Sequence, residues 1–100
     1  MSITKIVEAM QREARKAKME EQETLQSIAN ITTTEFAEET AKVLDPTKHA
    51  YTFKAYLTLL SNLKKLLLAG MPPEYALDSV QTGWSTDRLL SIWRERNERL

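Results

Sequence analysis

Two glycines and three prolines are the only strong conformational punctuation in this chain, and each stands where a helix should stop or start. Sandwiches and barrels need turn residues roughly every 8–12 positions, and nothing here supplies them. Strand-like alternation of β-branched residues is also missing; residues 31–34 are the one candidate, and they are too few. The expected class is all-α: a small bundle of about five helices packed around a central hydrophobic helix at residues ~46–69.

The first helix is expected over residues ~3–28. Ser2 is a good N-cap and Asn30 a plausible stop. At 3.6 residues per turn, Ile3, Ile6, Val7, Met10, Ala14, Ala17, Leu25 and Ile28 form one stripe, with Lys5, Arg12, Arg15 and Lys16 opposite. Glu21 falls inside the stripe, so the helix should bend or fray there, or hold Glu21 at the edge of a close contact. Thr32 followed by Glu35 reads as a capping box for a short second helix through Phe36, Thr40 and Leu44. Asp45-Pro46 should end it and start the third.

That third helix is apolar over more than half its circumference, with Lys54, Thr58, Ser61 and Lys65 as its narrow polar strip. Such a helix must be covered on several sides. Gly70 should close it in a left-handed cap. Pro72-Pro73 opens a fourth helix that Gly83 closes, and Ser85 caps a fifth, with Trp84 and Leu89 at the spacing of a hydrophobic staple. Leu89, Ile92, Trp93 and Leu100 form the apolar stripe of that last helix.

At 100 residues the chain has room for one domain, spanning 1–100, and for a real core without staples. There is no cysteine, which excludes disulfides, thiolate metal sites and cysteine nucleophiles. No apolar run reaches the ~18 residues of a membrane span, and the first ten residues do not read as a secretory signal. The expected location is the cytoplasm. Fourteen basic and fourteen acidic residues cancel, and they balance along the chain, so the basic surface usual in nucleic-acid binding is missing.

Chemistry has few materials. His49, the only histidine, sits four positions after Asp45, a spacing that could orient a general base. No nucleophile or second base accompanies it, so the expectation is a solvated histidine. One histidine without cysteine cannot build a typical zinc site, and no Asp/Asn-rich loop offers calcium ligands. Both glycines are already used as helix stops, which leaves no phosphate cradle. The Glu20, Glu21 and Glu23 group reads as a solvated face. The chain is therefore expected to be no enzyme, with no catalytic residues, cofactor or metal.

Two binding readings remain. Residues 73–99 have the outline of a helix-turn-helix, with Arg88, Arg94 and Arg99 as nucleic-acid contacts. Asp87, Glu95 and Glu98 interleave with them and leave little net charge. The favoured expectation is stoichiometric protein–protein interaction, as in small regulatory, inhibitory or accessory proteins of bacteria and phages. A first helix of roughly 26 residues would run about 39 Å and overhang its own core. Its partner surface, for another protein or a second copy in a homodimer, is expected at Val7, Met10, Arg12, Ala14, Lys16 and Ala17. The aromatic-free stripe argues against a membrane anchor.

Overall fold

A computed structural model describes residues 2–98. Among these, every regular element is helical: α1 (Ile3–Ile31), α2 (Thr34–Val43), the single turn α3 (Pro46–His49), α4 (Phe53–Leu68), α5 (Pro73–Val80) and α6 (Thr86–Glu98). Of the five helices of two turns or more, α4 is central and touches α1, α5 and α6, while α2 packs against α1. The bundle around a greasy central helix is as the sequence implies. Tyr56, Leu60, Leu63, Leu66 and Leu67 of α4 are buried, and Ile28, Phe36, Leu44, Met71, Leu77 and Leu89 close the core around them.

Three boundaries differ from the sequence reading, each for a local reason. α1 runs unbroken past Glu21 and Asn30 to Ile31. Thr32 ends it, donating its hydroxyl to the Ile28 carbonyl at 2.6 Å. The capping box expected at Thr32 and Glu35 is therefore replaced by a cap at Thr33, whose Oγ1 accepts the Phe36 N–H at 3.0 Å.

The third correction concerns residues 46–69, which are not one helix. Ala50 takes a left-handed conformation (φ 55°). Thr52 then caps a new helix by accepting the Ala55 N–H at 3.1 Å. Side-chain bonds back to the preceding segment hold this break: His49 Nε2 donates to the Val43 carbonyl at 2.6 Å, and the Tyr51 hydroxyl donates to the Leu44 carbonyl. At the other end the cap is as expected. Gly70 (φ 97°) lets the Met71 N–H reach the Leu66 carbonyl and its own N–H reach Leu67, at 3.1 and 3.0 Å.

Candidate functional site

The bundle body accounts for only part of α1. Leu25 and Ala29 pack on the core and Ile28 is fully buried, but the same apolar stripe continues towards the N-terminus beyond any covering helix. Ile3 is 80% exposed and Met10 64%, with Ile6 and Val7 near half. The molecule is accordingly elongated, 61 × 25 × 22 Å, with a radius of gyration of 16.0 Å, against about 13 Å for a compact chain of this length.

The break at residues 50–52 explains why the stripe emerges. Phe53 and Leu57 of α4 share a groove with Ala14 and Ala17 of α1, and the Tyr56 hydroxyl lies beside Glu21 further along. The two helices thus run in the same sense, and α4 begins level with about residue 17. Had the helix continued back to Pro46, about two turns more would have shadowed the stripe as far as Met10. Because the chain turns away instead, an arm spanning residues ~3–17 projects unaccompanied.

At the base of the arm lies an open groove of about 760 Å³, walled by Met10, Ala14 and Ala17 on one side and Phe53 and Leu57 on the other. Charges of both signs rim it: Glu13 and Glu20, with Lys16, Lys18 and Lys54. Lys18 is partly engaged, 3.2 Å from Glu21. The residues expected at a partner surface are brought together in part. Val7, Met10, Ala14 and Ala17 share the stripe; Lys16 stands at the rim and Arg12 on the opposite, solvated face, as one helical turn every 3.6 residues requires. Sequence reasoning missed Phe53 and Leu57, which it had assigned to a covered core helix. The signal that could have found them is Thr52 followed by Ala55, a cap hidden inside an apolar run.

His49 bonds to Val43 and stacks on Tyr51 with ring centroids 5.4 Å apart, while Asp45 caps Thr47, whose backbone and hydroxyl bonds hold its carboxyl below the usual range. Among the described residues no cluster of three or more His, Asp or Glu side chains could hold a metal ion, and no helix is long and apolar enough to cross a membrane. In α6, Arg88 lies over the Trp84 ring at 4.2 Å, and Arg96 reaches the Tyr75 hydroxyl at 3.4 Å. Arg94 is exposed, but six positions from Arg88 it points roughly 120° away around the helix. The structure does not gather these two on one face. Arg99 and Leu100 lie outside the described residues.

No family model matches the chain, and neither a curated protein nor a solved structure does. The reading of function therefore rests on the arm and its groove.

Proposed function

We propose that this protein acts by stoichiometric binding of a protein partner through the apolar stripe of the α1 arm, without catalytic turnover. The observation that carries the reading is the stripe itself: a helix face continuous with the buried one, left bare beyond the point where α4 begins. Fully covering one aliphatic side chain is worth about 1.5–3 kcal/mol. Ile3, Ile6, Val7 and Met10 already hide part of their surface, so covering all four gains on the order of 4–7 kcal/mol. Association costs about 4–15 kcal/mol in lost freedom. The arm tip alone is close to break-even, so a partner must also use the groove beside Phe53 and Leu57.

Val7→Glu places a charge in the middle of the stripe and touches no core residue. Captured partners should be lost from this variant and retained by Arg12→Ala on the opposite face. Partners held equally by Val7→Glu and wild-type protein would remove the reading, as would a reproducible activity of the purified protein that His49→Ala abolishes.

A further inference from the structure

The arm shows which partner fits it, given that it is a binding surface as proposed above: we infer that it is filled by a second copy of the chain, the two α1 arms lying antiparallel across a twofold axis near Met10, each tip seated in the other's groove against Phe53 and Leu57.

Side-chain size along the stripe argues for this. Its tip carries the large Ile3, Ile6, Val7 and Met10, and its base the small Ala14 and Ala17. Antiparallel pairing sets Ile3 against the partner copy's residue 17, Val7 against its residue 14, and Met10 against its own counterpart. Each outer layer then sets a large side chain against an alanine, which lets the facing helices pack closely. Parallel pairing would instead oppose alanine to alanine at the base, leaving voids there, and would drive the two bodies into the same space beside residue 17.

Charge is mixed at the seam: Glu13 and Glu20 rim the receiving groove together with Lys16, Lys18 and Lys54, while Lys5 and Arg12 lie on the outer face of each arm, away from the seam. Area sets the strength. Two arms of about 21 Å, in contact across a helix width of roughly 10 Å, cover on the order of 200 Å² of face each. Both tips in both grooves roughly double this, towards the ~1,000 Å² where specific interfaces begin. Symmetry makes that doubling automatic, since one patch serves twice. The expected dimer is weak, with Kd in the micromolar range.

Because the chain lacks cysteine, introduced thiols report the arrangement directly. Single variants Ile3→Cys and Phe53→Cys, mixed and oxidised, should give a disulfide-linked heterodimer, while Ile3→Cys alone should not link to itself. Sedimentation at about 100 µM should show a dimer for wild-type protein and a monomer for Val7→Glu, with helical content unchanged by circular dichroism. Self-linking of Ile3→Cys without the mixed product would overturn the antiparallel arrangement. A wild-type monomer at that concentration would overturn the dimer. If that monomer bound a foreign protein, or vesicles of phosphatidylcholine and phosphatidylserine, in a Val7-dependent way, this inference would fail while the arm remained a binding surface. If Val7→Glu altered no association at all, both would fail.

Discussion

Glu21 is the acidic residue set into the apolar face of α1, and the position looks like an error until the tertiary partner is known. Its side chain is only 14% exposed and bonds to Lys18 at 3.2 Å, while the nearly buried Tyr56 presents its hydroxyl from α4. Burial first, then the Glu21 carboxylate beside its hydroxyl, push the Tyr56 phenol well above the usual tyrosine value. Burial raises Tyr51 as well. A phenol with a raised pKa keeps its proton in the folded chain after the unfolded chain has lost it. Above pH 10.0, the ordinary tyrosine value, the unfolded state therefore binds fewer protons, and stability falls as pH rises. Below that pH the contribution is fully present. Tyr56→Phe should flatten the alkaline decline, with Tyr51 supplying what remains. Urea titrations from neutral to alkaline pH test this; parallel declines in both proteins would count against it.

At the scale of elements, local caps decide where helices begin, and hydrophobicity decides only what they bury. The run from Pro46 to Ala69 is apolar enough to read as one helix, yet Ala50 in the left-handed region and Thr52 as a cap divide it. The last helix teaches a similar lesson. Trp84, just before it, stays 44% exposed beneath the Arg88 guanidinium. Trp93 packs half-buried against the core, beside Gly70. Trp93→Ala should consequently cost roughly 2–3 kcal/mol, less than the ~3–5 kcal/mol of a fully enclosed aromatic. Arg94→Ala, on the exposed side, should stay within about 0.5 kcal/mol. Chemical denaturation measures both. The nucleic-acid reading of this helix predicts more: salt-sensitive duplex binding that the Arg88→Ala, Arg94→Ala double variant loses. Finding it would reverse the preference for a protein partner.

Over the whole molecule, the consequence of that break in the central run is an elongated shape. Val7→Glu acts on the arm alone, so its unfolding free energy should match wild type within about 0.5 kcal/mol. Small-angle scattering of this variant as a monomer should give a radius of gyration near 16.0 Å rather than the ~13 Å of a compact domain. The smaller value would mean that the arm folds back over Phe53 and closes the groove.

The all-helical class, the left-handed cap at Gly70 and the amphipathic stripe of α1 were legible in the sequence, because each depends on residues within a few turns of one another. Capping geometry, glycine's access to positive φ and the 3.6-residue period are local physics. Which part of the stripe would be covered was not legible, since that depends on where α4 begins relative to α1. That register follows from side chains reaching back along the chain, His49 to Val43 and Tyr51 to Leu44, and from Glu21 meeting Tyr56 across two helices. Phe53 and Leu57 face an open groove instead of a closed core for the same reason. Periodicity determined which face of α1 is apolar; only tertiary packing decided how much of that face remained bare, because burial is a property of neighbours and not of the helix that carries it.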